Sequence, residues 1–173
     1  MFLPEILSFD SDNVFFAGIS GGAMLLTGYF IPTFMHEFPS TGALLLCGAM
    51  PPQVPWVKTK EFIGNTRFHF QSTKNELGGL DDLITQTIDV FSDTATDMGV
   101  SDGLLDKLQT VNNDPKGGHC IFDNVDFYSS IKLMAESYPN IMQKGDGIVP
   151  GIGNVLDGTT TTILSFDRAL KAK

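Results

Sequence analysis

Short apolar runs alternating with helix-periodic segments predict an α/β fold built on a mostly parallel sheet. Two runs, Val14-Phe15-Phe16-Ala17-Gly18 and Gly42-Ala43-Leu44-Leu45-Leu46-Cys47-Gly48, are apolar on both faces, the pattern of strands covered on each side. From Leu80 onward the period changes: Leu80, Leu83, Ile84, Thr87, Ile88 and Phe91 fall on one face of a helix. The third observation is bulk. Of 173 residues, 42% are hydrophobic and 18% charged, which supplies a buried core and excludes a disordered chain. The length suits a single domain.

Taken in order, Pro4 to Phe9 is a short amphipathic start, and Ser11-Asp12-Asn13 punctuates it before the first strand at Val14. Gly22 to Phe30 is apolar nearly all round and suits a central helix buried under the sheet, with Pro32 and Pro39 disrupting the stretch after it. The second strand leads into a Pro-rich loop, Pro51 to Trp56. Thr66 to Gln71 is the third strand, Ser72 to Gly79 a polar turn, and the helix from Leu80 carries Asp81 and Asp82 in its first turn and stops at Gly99. Leu104 to Val111 fits helix and strand equally. Gly117-Gly118-His119 is a turn, and Val125 to Tyr138 returns to helical spacing before Pro139. The expected organisation is a core over residues 1–144 and a Gly/Thr-rich tail over 145–173. In that tail Thr159 to Phe166 reads as a further strand, packing on the same domain or on a partner chain.

Twenty acidic residues against 11 basic ones give a formal charge of -9, which repels phosphate backbones and anionic lipid, so neither nucleic acid nor a membrane surface is an expected partner. No apolar stretch approaches the ~20 residues of a membrane span. Met1-Phe2-Leu3-Pro4-Glu5 has no basic n-region and no cleavage pattern, so no signal peptide is expected. Cys47 and Cys120 are too few for a disulfide scaffold and too isolated for a zinc site. One bridge or two buried thiols both fit, and composition favours the thiols.

The chemistry concentrates in Gly18-Ile19-Ser20-Gly21-Gly22. This G-x-S-x-G follows a buried strand and opens a helix, the setting of a nucleophile elbow. A serine on so tight a turn needs small neighbours, because strand and helix approach closely there. Ser20 Oγ then projects above the sheet, and Gly21 N–H, at the positive end of the helix, can donate to an oxyanion. The competing reading is an ordinary glycine turn between strand and helix.

With these features the chain resembles the α/β-hydrolase superfamily, and more closely its polyhydroxybutyrate-depolymerase and feruloyl-esterase-like branch. The resemblance runs from Val14 to about Tyr138, through the elbow, the loop Cys47-Gly48-Ala49-Met50-Pro51-Pro52 and the Gly-Gly-His turn before a final helix. It implies a serine hydrolase of small or polymeric carboxylic esters, extracellular by the family's habits, whose chemistry requires no metal or organic cofactor.

A serine needs a base. His36, between prolines, reads as solvated. His69, between Phe68 and Phe70, reads as a packing or sheet-surface histidine. His119 sits in a loop downstream of the strands, from which it can reach Ser20, and the resemblance places the base there. The family's acid lies after the third strand in a form like Gly-Thr-x-Asp, where this chain has Ser72-Thr73-Lys74-Asn75-Glu76. Asn75 occupies the acid's position. It can orient an imidazole but cannot stabilise its charge, whereas Glu76, one residue on, can do both. Glu76 is therefore the expected acid, with Asp81, Asp82 and Asp146 as alternatives. Trp56 could stack on an aromatic or sugar group of the substrate, against the competing reading of a loop anchor.

One departure is large. The full hydrolase sheet has about four strands before the nucleophile strand, and a loop among them supplies the second oxyanion donor. Only residues 1–13 precede Val14 here. The first strand is thus expected to lie at an open edge, filled by the tail or by a second copy in a homodimer. A catalytically inactive ligand- or partner-binding domain, or a fragment completed by another chain, is the rival expectation.

Overall fold

The computed structural model describes residues 14–39, 41–113 and 115–121, with Tyr138, Pro139 and Met142. Among them, strands β1 (Phe15–Ile19), β2 (Gly42–Leu46), β3 (Arg67–Gln71) and β4 (Gln109–Asn112) form an all-parallel sheet in simple chain order. The fold class is α/β. Parallel neighbours are joined by right-handed crossovers, so strands in chain order send their helices to one face. Accordingly Ala23, Ile84, Ile88, Phe91 and Leu105, from three helices, share one core with Ala43, Leu45, Phe68, Phe70 and Val111 of the sheet. On the other face Leu44 and Leu46 pack with Cys47, Cys120 and Met142, flanked by Phe15, Ile19 and Tyr138.

All five residues of β2 are buried, as its apolar run predicts. β1 departs from the same expectation. Its Ala17 is exposed and Phe15 and Phe16 are half-buried, because among the described residues β1 has a strand on one side alone.

The helix expected over Gly22 to Phe30 continues past Pro32. It runs through α1 (Gly21–Leu25), a π-helical turn (Leu26–Phe30), α2 (Ile31–Phe34) and a 3-10 turn (Met35–Glu37). Proline has no N–H for the carbonyl four residues back, which here is Gly28 O. That carbonyl accepts from Gln53 N–H at 2.8 Å, and Pro32 O accepts from Val57 N–H at 2.8 Å. The loop after β2 therefore supplies the donors the helix lacks, and the wider π turn accommodates the ring. His36, in the 3-10 turn, is not the solvated residue expected: it is half-buried, with Nδ1 shut away from solvent.

α3 (Leu80–Asp97) matches its predicted span and buries Ile84, Thr87, Ile88, Phe91, Ser92 and Ala95. The ambiguous stretch from Leu104 resolves into both of its readings, α4 (Asp102–Leu108) followed without a break by β4. No glycine or proline separates the two, so periodicity alone had no boundary to mark. No helix among the described residues is long and apolar enough to cross a membrane. The amphipathic start, the body of the helix ending at Tyr138, the tail strand and the division at residue 144 lie outside the described residues.

Candidate active site

β1 delivers the chain to Ser20, whose φ of 52° and ψ of -118° place a non-glycine residue in a conformation that sterics disfavour. The surrounding backbone holds it there. Ser20 N–H donates to Leu46 O at 2.8 Å, and Ser20 O accepts from Met24 N–H at 3.1 Å inside α1. Two glycines make the close approach feasible. A Cβ on Gly18 would meet Ala23 N at 2.6 Å, and one on Gly48 would meet Ser20 O at 2.7 Å.

Above this turn, His119 Nε2 lies 2.9 Å from Ser20 Oγ, and His119 Nδ1 is hydrogen-bonded to Glu76 Oε1. Glu76 Oε1 also accepts from Leu77 N–H at 3.0 Å, and Ser72 Oγ stands 3.5 Å from Oε2. The Glu76 side chain is fully enclosed and that of His119 is 24% exposed. An ionised carboxylate only accepts, so Nδ1 carries the ring proton and Nε2 faces the serine as an acceptor, the tautomer a general base needs. Ser20, Glu76 and His119 follow β1, β3 and β4, at the carboxyl edge where α/β sheets place their sites. Gly21 N–H begins α1 directly after Ser20, and Gly21 is exposed.

No protein-family model, curated protein or solved structure matches the chain. The site must be read from its own geometry.

The other candidate acids are placed elsewhere. Asn75 is exposed and its Nδ2 donates to Lys116 O at 2.5 Å. Asp81 is exposed in the first turn of α3, and its pKa is raised by such desolvation as it has, then by the Glu76 and Asp82 charges. Asp82 is exposed in the same turn, and Asp146 lies outside the described residues. Trp56 is half-buried against Phe91 and Phe62, with ring centroids 5.1 and 6.2 Å away, and so packs on the helix-covered core.

His69 is fully buried on the opposite face of the sheet from that core, which excludes the sheet-surface reading. Its Nε2 is 3.3 Å from Gln71 Oε1, and its Nδ1 is 2.8 Å from Thr110 Oγ1. Gln71 Nε2 donates to Ser72 O and Asn112 O, which orients the amide, so Oε1 must accept and His69 carries its proton on Nε2. Burial lowers its pKa to about 4, against the Gln71 contact, which favours the charged ring.

Sequence reasoning missed two features. The first is a set of hydrogen bonds joining the acid turn to the histidine loop. Lys74 N–H donates to Pro115 O at 2.7 Å, Asn75 to Lys116 O, and Thr73 Oγ1 to Gly118 O at 3.4 Å. The second corrects the preference for free thiols: Cys47 and Cys120 form a disulfide, with Cα atoms 5.2 Å apart. A count of two cysteines cannot reveal that both stand at the carboxyl edge of the sheet. The available signal was position, one cysteine directly after a buried strand and the other directly after the candidate base. Donor atoms of Cys47, Cys120 and His119 fall within 4.8 Å of one another, but disulfide sulfurs are not thiolates, the form in which cysteine ligates a metal.

Proposed function

We propose that this chain is a serine hydrolase that cleaves carboxylic esters through an acyl-enzyme on Ser20. The observation that carries this reading is the continuous hydrogen-bonded series from Ser20 to His119 to Glu76, seated on a strand–turn–helix elbow. In the mechanism, Ser20 Oγ attacks the ester carbonyl while His119 Nε2 takes its proton, then returns it to the leaving alkoxide. Glu76 holds the ring in the required tautomer and stabilises the imidazolium. Gly21 N–H, at the positive end of α1, faces the developing oxyanion. Water then releases the acyl group by the same steps. The substrate is a small or polymeric ester, and these steps need no metal or organic cofactor.

The order of elbow, acid and base along one parallel sheet supports the resemblance to the α/β-hydrolase superfamily and its depolymerase and feruloyl-esterase-like branch. On that reading β1 is the nucleophile strand, with β2 as its one strand neighbour among the described residues. The exposure of Ala17 on β1, and of Leu25 and Tyr29 on the helix after it, favours a homodimer through this edge. Sedimentation of the full chain tests it, a concentration-independent monomer being the opposing result. The Cys47–Cys120 bridge supports an oxidising, extracellular setting.

A fluorophosphonate probe tests the activity. Labelling at Ser20, abolished in Ser20→Ala, is expected. A folded protein that resists the probe would instead be an inactive hydrolase-like binding domain.

A further inference from the structure

We infer that the Cys47–Cys120 disulfide positions the catalytic base: it sets the distance between His119 and Ser20. The inference rests on the esterase reading and goes beyond it by dividing the support of His119 into two independent halves.

The first half holds His119 to its acid. Three hydrogen bonds, from Lys74, Asn75 and Thr73 to the carbonyls of Pro115, Lys116 and Gly118, tie the segment before His119 to the turn that carries Glu76. None of them reaches the nucleophile. The second half does. Cys120 follows His119 directly, and its sulfur lies 3.6 Å from His119 Nε2, the nitrogen that must accept the serine proton. Through the bridge that sulfur is joined to Cys47, which is fully buried at the end of β2 with its N–H donating to Gln71 O at 2.7 Å.

Both chain neighbours of Cys47 touch the backbone of Ser20. Leu46 O accepts from Ser20 N–H at 2.8 Å. Gly48 lies so close that a Cβ there would meet Ser20 O at 2.7 Å. The bridge therefore connects the residue beside the base to the two residues that brace the nucleophile. Cys47 and Cys120 also hold left-handed backbones, φ 48° and 57°, which turn each chain sharply at the bridge.

Opening the bridge leaves the acid side of His119 anchored and frees the nucleophile side. A displacement of about 1 Å between nucleophile and base costs on the order of 10²-fold in rate, while a substrate bound elsewhere in the cleft is held as before. The prediction is a split. kcat falls about 10²-fold, KM hardly moves, and the His119–Glu76 hydrogen bond survives.

Two forms of the full chain test this. One is the Cys47→Ala/Cys120→Ala double variant. The other is the native protein treated with a trialkylphosphine, which converts the S–S bond to two thiols and is itself oxidised to the phosphine oxide, water supplying the oxygen and both protons. The readouts are kcat and KM on a short-chain aryl ester, the rate of fluorophosphonate labelling at Ser20, and the far-downfield proton resonance of His119 Hδ1. The expected result is that kcat and labelling fall together, KM and the downfield resonance persist, and reoxidation of the reduced protein restores the rate. Unchanged kcat in either folded, bridge-free form overturns the inference. So does loss of the downfield resonance along with activity, which would make the bridge a support of the fold and not of the base. Failure of the probe to label the oxidised wild type would refute the esterase reading itself, a result separate from either.

Discussion

His69 makes the stability of this protein depend on pH in a direction and amount that the structure specifies. In the unfolded chain its imidazole titrates near the ordinary value of 6.5, whereas in the fold burial holds it at about 4. Between those values the unfolded state binds a proton that the folded state refuses. The stability this neutral histidine contributes is therefore complete above the unfolded value and is lost as pH falls toward the folded one. Each pH unit inside the window is worth about 1.4 kcal/mol, so acidification from pH 7 to pH 5 removes about 2 kcal/mol through this residue. Urea unfolding of wild type and His69→Asn at both pH values isolates the effect. The substitution adds a constant offset, because a neutral amide leaves a changed cavity at every pH, but the other titrating groups are common to both proteins and cancel. Wild type should lose about 2 kcal/mol more than the variant over this interval. Equal losses would mean that His69 is not held neutral by burial, and the account of its network with Thr110 and Gln71 would fall with it.

The remaining predictions concern the site. His119→Ala should lower kcat for an aryl ester by ~10³-fold or more, while His36→Ala leaves it nearly unchanged; sensitivity of His36 alone would move the base. Glu76→Gln should cost more activity than Asn75→Ala, since only Glu76 contacts the imidazole, and the reverse order in steady-state kinetics would transfer the acid's role. Gly48→Ala forces its Cβ against Ser20 O, a backbone atom with little freedom to yield. It should lose about 1–3 kcal/mol of stability and ~10²-fold in kcat, and a variant matching wild type in both would refute the close approach.

The sequence was most informative where sterics act locally. The elbow is legible because strand and helix approach closely at this turn: a Cβ on Gly18 would meet Ala23 N at 2.6 Å, whereas Gly21 and Gly22 have open space and mark the turn only by pattern. β2 and α3 are legible for a similar reason, each having an unmixed apolar pattern long enough to reveal its period. The π turn before Pro32 was not. Its stability depends on Gln53 and Val57, which the chain brings back only after completing β2. The boundary between α4 and β4 escaped because each is short and nothing punctuates the join.

By itself, then, the sequence determined the α/β class, and it marked out Ser20 in its strand–turn–helix setting and His119 as the histidine able to reach it, since each is written in spacing and residue type over a short stretch. Only the tertiary structure decided which of Asn75 and Glu76 meets the His119 ring. Neighbours in the same turn differ by which way the backbone presents them, and that direction is set by hydrogen bonds to a loop some forty residues away. It also decided the state of the two cysteines and the burial of His69. Reactivity and protonation depend on what surrounds a group in space, and parallel strands gather those surroundings from segments far apart in the chain.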